Sequence, residues 1–187
     1  MYVVGDSFNK VAQYSLATTY DVSSSTFEDS YNVNSEESNP RGMTFNNDGS
    51  KFYIIGTSGD EVNEYSLSTN YDLTSTVTHL GAFSVASDDN NPTSITFNND
   101  GTVLFVLGND TVTTSNNDVI VYNLSPGYDL TDIALGPAGR FSLTSEENAA
   151  FGMDFSADGN LLFIAANQGN EVLKYSLTAP YDVLSVM

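Results

Sequence analysis

The chain lacks several residue types on which common kinds of site depend. Its 187 residues include no cysteine, no tryptophan and one histidine, His79. The absence of thiols excludes disulfides and thiolate metal ligands, and a lone histidine cannot supply a multi-histidine zinc site or a Cys–His pair. No run approaches the roughly 18 apolar residues of a membrane-spanning helix, so we expect no membrane insertion.

Positive charge is also scarce. Five Lys and Arg residues stand against 24 Asp and Glu, which gives a formal net charge of −19. Nucleic acids and anionic membranes are bound through Lys and Arg, so the balance predicts that neither is a partner. The acidity fits a solvated, salt-tolerant surface, or alternatively a face that binds cations.

The chain does contain an internal repeat. A fifteen-residue block begins at Ser35, Ser87 and Ser145, with spacings of 52 and then 58 residues. Self-similarity near a period of 50 residues predicts a stack of like structural units. Other features share the period: apolar runs at 2–5, 52–56, 104–108 and 162–166, and Val-Tyr-Leu runs at 11–16, 62–67, 119–124 and 172–177.

These features predict four strands, A to D, in each unit. The apolar runs are strand B and the Val-Tyr-Leu runs are strand C, while strand A lies at 41–46, 93–98 and 151–156, and strand D at 25–33, 76–85 and 133–143. Asn-Asp-Gly or Ala-Asp-Gly forms the A–B hairpin turn, because Gly accepts positive φ. Four-stranded antiparallel units repeated in this way are propeller blades, and no helix is expected. We therefore predict an all-β, β-propeller domain over 1–187, with blade-like units near 1–33, 41–85, 93–143 and 150–187.

The first and last blades are predicted to be incomplete. The strand order is B-C-D, A-B-C-D, A-B-C-D, A-B-C, as expected for a fragment of a longer propeller or a gene with an internal start. Incomplete ends leave uncovered blade faces and strand edges that invite pairing. We expect a homodimer that closes a ring of about eight blades, with a closed four-bladed monomer as the alternative.

The repeats resemble the YVTN-type β-propeller family and, more loosely, NHL and WD40-like propellers. The likeness is carried by GMTFNNDGSKFYIIG at 42–56 and by residues 62–73, and it covers almost the whole chain. It implies the fold but not one activity, since propellers include enzymes, lectins and scaffolds. Without tryptophan, the Trp-Asp signature of true WD40 repeats is absent.

Acidic pairs recur in the D–A connections. In a propeller these loops share one face with the B–C connections. Carboxylates with nearby Asn and Ser oxygens suit Ca²⁺, although no EF-hand spacing is present. The sequence therefore predicts either a calcium site or solvated loop carboxylates. No other cofactor is expected. The longer B–C loop at 109–118 is either a ligand loop on this face or neutral variation. The candidate ligands are Glu36, Glu37, Asp88, Asp89, Glu146 and Glu147.

A Tyr-Asp pair follows each strand C, and its tyrosine is the second candidate site. Tyr20, Tyr71, Tyr128 and Tyr181 fit either corner packing or sugar stacking, as in a lectin with one pocket per blade. Catalysis has less support, since His79 lacks a partner motif and strand A offers only Thr44, Thr96 and Asp154 to a central channel. We expect a non-catalytic module, at an extracellular, cell or virion surface, that binds a glycan or protein. The alternatives are a repeat lectin and a lactonase-like or Ca²⁺-assisted hydrolase.

Overall fold

Four antiparallel sheets form the described part of the protein. The computed structural model describes all residues except 110–116, 134–135, 144–148, 168 and 187. Sheet 1 contains β1 (Tyr2–Gly5), β2 (Lys10–Leu16) and β3 (Ser25–Asn32); sheet 2 contains β4 (Pro40–Phe45), β5 (Lys51–Gly56), β6 (Glu61–Leu67) and β7 (Val77–Ser84). Sheet 3 contains β8 (Pro92–Phe97), β9 (Val103–Gly108), β10 (Asp118–Asn123) and β11 (Gly139–Ser142); sheet 4 contains β12 (Ala150–Phe155), β13 (Leu161–Ala166) and β14 (Glu171–Ser176). The predicted all-β fold with three-stranded first and last sheets is confirmed.

Neighbouring strands in each sheet are consecutive in the chain, so every sheet is a simple meander. Strand A carries a register irregularity near its start in each repeat, between Pro40 and Gly42, Pro92 and Ser94, and Ala150 and Gly152. A β-bulge at a fixed repeat position bends the strand where it joins the preceding loop. Nothing in the alternation of residue types indicated these bulges.

Short helical turns follow three of the four Tyr-Asp pairs, where the sequence led us to expect no helix. Single 3₁₀ turns occupy Val22–Ser24, Leu130–Asp132 and Val183–Ser185. The preceding Asp caps each turn through its side chain, which accepts the N–H two residues on. These turns lie below the length at which apolar periodicity identifies a helix. Within the described parts of the chain, no helix has the length and apolar character needed to cross a membrane.

A separate hydrophobic cluster fills the space between each pair of successive sheets. Val11 and Val33 of sheet 1 pack with Phe52 and Ile54 of sheet 2, and the same arrangement recurs between sheets 2 and 3 and between sheets 3 and 4. The first strands of successive sheets are in contact, β1 with β4, β4 with β8 and β8 with β12. The sheets are therefore arranged radially, with strand A on the inside and the connections at two opposite faces.

Candidate functional site

The connections separate into two faces. The D–A loop before β4 lies beside the B–C loop after β5, since Glu37 accepts hydrogen bonds from the backbone of Ser58 and Gly59. On the opposite side, the Tyr71 ring of the C–D corner lies against Gly49 of the A–B turn. We call the first side the acidic face and the second the corner face.

On the acidic face, one carboxylate of each described D–A pair is fully buried. Glu37 accepts the Asn39 N–H at 2.6 Å, in addition to its longer bonds to the B–C loop, and Asp89 accepts the Asn91 N–H at 2.7 Å. Gly56 and Gly108 make room for these groups, because a Cβ at either position would overlap the neighbouring carboxylate. The two side chains join the D–A loop to the strand B end of the same sheet. Their geometry is that of structural acceptors for backbone N–H groups.

The other member of each pair is half-buried and has different partners. Glu36 accepts the Ser35 hydroxyl at 2.6 Å. Asp88 accepts hydrogen bonds from Arg140 and from the Tyr122 hydroxyl, both at 2.9 Å. The remaining predicted pair, Glu146 and Glu147, lies outside the described residues, as does most of the loop at 109–118.

Arg140 joins two acidic side chains between sheets 2 and 3. Its guanidinium lies 2.9 Å from Asp88 and 3.6 Å from Asp118, whose side chain is buried. Burial, followed by the charge of Asp88, raises the pKa of the Tyr122 hydroxyl, which therefore stays protonated as a donor. We call these four residues the Arg140 cluster. It holds one cation beside two carboxylates, so Arg140 offsets part of their negative charge.

Acidic groups also approach one another near Glu37. Burial, followed by the charge of Glu37, raises the pKa of Asp60, and Asp60 Oδ1 has no hydrogen-bond donor among the described residues. Nevertheless, the described residues include no group of three or more His, Asp or Glu side chains arranged to hold a metal ion. The calcium site thus stays a prediction from the sequence.

On the corner face, three of the four candidate tyrosines are packed in the same way. Tyr71, Tyr128 and Tyr181 lie over Gly49, Gly101 and Gly159, whose carbonyls accept their N–H groups at 2.9, 2.9 and 2.8 Å. Each ring also lies 5.0–5.2 Å from the strand A phenylalanine of its sheet. All have φ near +60°, a region that non-glycine residues occupy at a cost of about 1–3 kcal/mol. In these three tyrosines the N–H bond to the turn glycine and the packing of the ring on it offset this cost.

Tyr20 is the exception. Its φ is +62°, like the others, but sheet 1 contains no A–B turn to cover its ring, which is 94% exposed. Of the four candidate tyrosines it is therefore the one with an open aromatic face.

The A–B turns hold ionised carboxylates. Asp158 accepts the Ser156 hydroxyl at 2.6 Å and the Asn160 amide at 2.8 Å. The Ser156 bond, followed by those from Asn160, lowers the pKa of Asp158 to about 2. Hydrogen bonds from the hydroxyl and then the N–H of Ser50 lower the pKa of Asp48, and those of Thr102 lower the pKa of Asp100. These groups stabilise the hairpin turns as anions.

The residues considered for catalysis lie at opposite edges of the sheets, His79 on the outermost strand and the others on strand A. His79 lies on the exposed edge strand β7, with its Nε2 3.0 Å from Asn63 Oδ1 and its ring 5.0 Å from Tyr65. Thr44, Thr96 and Asp154 lie on β4, β8 and β12, and the Asp154 carboxylate accepts the N–H of Phe155.

Sequence reasoning missed an ion pair within sheet 2, at its interface with sheet 3. Lys51 Nζ lies 2.6 Å from the buried Glu64 carboxylate and donates to the Tyr128 carbonyl of sheet 3 at 3.3 Å. A cavity of about 270 Å³ lies beside this pair, lined also by Leu80, Asp129 and Leu130. The available signal was a charged residue, Glu64, in the middle of strand C.

No family model and no curated protein matches the chain. Among solved structures, it is similar to a candidate 6-phosphogluconolactonase from Bacteroides uniformis, with 14% identity, a TM-score of 0.62, and coverage of 100% of this chain and 49% of the other. A second candidate 6-phosphogluconolactonase, from Bacteroides fragilis, has 15% identity and a TM-score of 0.57 over 96% of this chain and 46% of the other. A protein of unknown function from Desulfotomaculum acetoxidans has 13% identity and a TM-score of 0.59 over 100% of this chain and 53% of the other.

These likenesses establish the fold alone, because function does not follow from a shared fold at such identities. The predicted β-propeller architecture is confirmed. The chain spans about half the length of the solved structures that it matches.

Proposed function

We propose that this chain is a non-catalytic binding or interaction module of the propeller fold, acting at an extracellular, cell or virion surface. The observation that carries the proposal is that the acidic-face carboxylates are engaged in hydrogen bonds and an ion pair within the protein. Glu37 and Asp89 are buried acceptors of loop N–H groups, and Asp88 is paired with Arg140. Side chains engaged in this way hold the loops in place as a preformed platform instead of serving as free acids or bases.

The charge of the chain narrows the ligand class. A net charge of −19 disfavours nucleic acids and anionic membranes and is compatible with neutral glycans or with cationic protein surfaces. Within the proposal, the open ring of Tyr20 is the best-placed aromatic group for stacking on a sugar. We also assign the repeats to the YVTN/NHL-like propellers, on the residues that carry that resemblance.

A glycan array probed with the intact chain, with and without Ca²⁺, tests the binding proposal. We expect selective binding that Tyr20→Ala weakens and that Phe8→Ala, a change at another exposed aromatic residue in the loop between β1 and β2, leaves in place. Binding abolished by a chelator would indicate the calcium-dependent form of the module. An array without signal, together with lactone turnover, would contradict the proposal.

A lactonase-like hydrolase is the second candidate, favoured by the fold shared with two candidate 6-phosphogluconolactonases. The Arg140 cluster is the one place on the described acidic face where a half-buried cation, two carboxylates and a tyrosine hydroxyl meet. Turnover of 6-phosphogluconolactone above the rate in buffer, lost in Arg140→Gln, would support this candidate. Arg41→Gln is the matched control, since Arg41 forms an exposed pair with Asp6 at 3.3 Å.

A further inference from the structure

We propose that a second copy of this chain docks on both end sheets, with sheet 4 of each copy packed on sheet 1 of the other, so that two copies close a ring of eight sheets. The inference rests on repeat equivalence. Residues are equivalent when they hold the same place in the pairing of strand B with strand C. By this criterion the equivalent positions in strand B are Val3, Ile54, Val106 and Ile164, which pair with Ala12, Asn63, Ile120 and Leu173 respectively.

The outer face of sheet 1 exposes positions that are buried in every other sheet. Val3 is 47% exposed and Val22, after the Tyr-Asp corner, is 65% exposed. In sheets 2, 3 and 4, the corresponding residues face the preceding sheet and are buried: Ile54, Val106 and Ile164 for Val3, and Leu73, Leu130 and Val183 for Val22. Sheet 1 therefore has the contact surface of a sheet that follows another one.

The outer face of sheet 4 exposes the complementary set. Val172 is 65% exposed, and it lines a shallow apolar groove with Phe163 and Ala165. In sheets 2 and 3 these positions face the following sheet and are fully buried, as Tyr53, Ile55 and Val62 and as Phe105, Leu107 and Val119. Sheet 4 has the contact surface of a sheet that precedes another one, so the two end faces are halves of the same kind of interface.

Charge identifies the occupant as a second copy. Lys174 occupies the position of Gln13 and Glu64, opposite strand B of its sheet. At the internal interfaces this position meets the C–D corner of the next sheet. Gln13 Oε1 accepts the N–H of Leu73 at 2.6 Å, and Glu64 shares a cavity with Asp129.

In the proposed ring, Lys174 would meet the corner that contains Asp21. Lys174 is exposed and has no ion-pair partner among the described residues. Lys51 already shows that an ammonium group is accommodated at such a corner, where it donates to the Tyr128 carbonyl. One of only five basic residues thus lies where a second copy presents a carboxylate.

Within the proposal, two copies complete the ring. Each copy supplies one face of each kind, so the contact is heterologous and closes when the rotation completes a circle. The chain covers 49% and 53% of two solved structures that it matches along its whole length. Two copies therefore have about the length of one such protein.

Light scattering of the 187-residue chain is the primary test. We expect a mass twice that of the 20.1-kDa chain, and a monomer after Val172→Asp. Leu80→Asp is the control, because Leu80 is also exposed but lies on the internal sheet 2. A monomeric wild-type chain, a mass that grows without limit with concentration, or a dimer that survives Val172→Asp would each overturn the proposal.

A charge exchange between Lys174 and Asp21 tests the docking geometry, and it provides a second test in case Val172→Asp fails to fold. Lys174→Glu and Asp21→Lys should each weaken the dimer about tenfold or more, because both interfaces then hold like charges. An equimolar mixture should recover the dimer, since both interfaces of the mixed ring pair opposite charges. If the mixture stays as monomeric as its components, this arrangement of the end faces is wrong.

Discussion

The substitution Glu37→Ala should destabilise the protein, because we interpret Glu37 as a structural hydrogen-bond acceptor and not as a ligand of a metal or substrate. Glu37→Ala leaves the half-buried Asn39 N–H without its 2.6 Å acceptor and creates a small cavity at a fully buried position. The bonds from Ser58 and Gly59 are longer, at 3.2 and 3.3 Å, and both donors are exposed, so water can replace the carboxylate there. One charge-assisted bond and its orphaned donor amount to about 2–4 kcal/mol of unfolding free energy.

Glu37→Gln should cost less, about 1–2 kcal/mol, because the amide keeps one acceptor and the shape of the side chain. Glu36→Ala is the matched control, with an expected change within about 0.5 kcal/mol. Glu37→Ala and Glu36→Ala each remove one negative charge from a chain with a net charge of −19. Any stabilisation from reduced charge repulsion is therefore the same in these two variants.

Urea unfolding followed by tyrosine emission measures these differences, since the chain has 11 tyrosines and no tryptophan. Protein concentration must be held fixed, because self-association would couple stability to it. Equal losses for the two alanine variants would refute the argument from buried hydrogen bonds. A loss for Glu37→Ala that appears in Ca²⁺ and vanishes in chelator would instead identify Glu37 as a metal ligand.

Three other substitutions probe the corner face and its contact with the next sheet. Gly101→Ala should lower the free energy of unfolding by about 1–3 kcal/mol, because Gly101 has a φ of +73° and an added Cβ would overlap the Tyr128 ring. In the control Gly59→Ala the added Cβ would face only a flexible side chain, and the free energy of unfolding in urea should change by less than about 0.5 kcal/mol. Asp158 has a folded pKa of about 2 against a usual 3.8, so its contribution is present above the usual value and is lost as pH falls toward 2. Asp158→Asn should therefore flatten stability against pH within that window in acid titrations, and an unchanged slope would contradict the assignment. Tyr53→Phe removes the hydrogen bond from its hydroxyl to the Tyr128 carbonyl, at 2.7 Å, and should lower the urea midpoint by the equivalent of about 0.5–1.5 kcal/mol.

The strands and their order could be predicted from the sequence because the information is local. Each strand pairs with its neighbour along the chain, and alternation, apolar runs and Asn-Asp-Gly turns specify such meanders within one repeat. The bulges in strand A and the 3₁₀ turns after the corners were not predicted, since both depend on how a sheet joins the loop beside it.

The candidate site was predicted only in outline. The D–A carboxylates were expected to share a face with the B–C connections, and Glu37 does contact the B–C loop. The sequence could not distinguish Glu36 from Glu37, because which of two adjacent acids turns inward depends on the N–H groups that the fold places nearby. The Arg140 cluster was missed because Arg140 and Asp88, 52 residues apart, meet only when the D–A loop folds against strand D of sheet 3.

The repeat by itself determined the kind of sheet, the strand order and the turn chemistry, since these follow from interactions between residues close in the chain. Only the tertiary structure decided which members of the repeat are covered. Val3, Val22 and Val172 differ little in type from their buried equivalents, yet they are exposed, since within the described part of the chain no sheet packs on the outer faces of sheets 1 and 4. Burial is a property of the neighbouring sheet, and that neighbour is not encoded in the residues of the repeat itself.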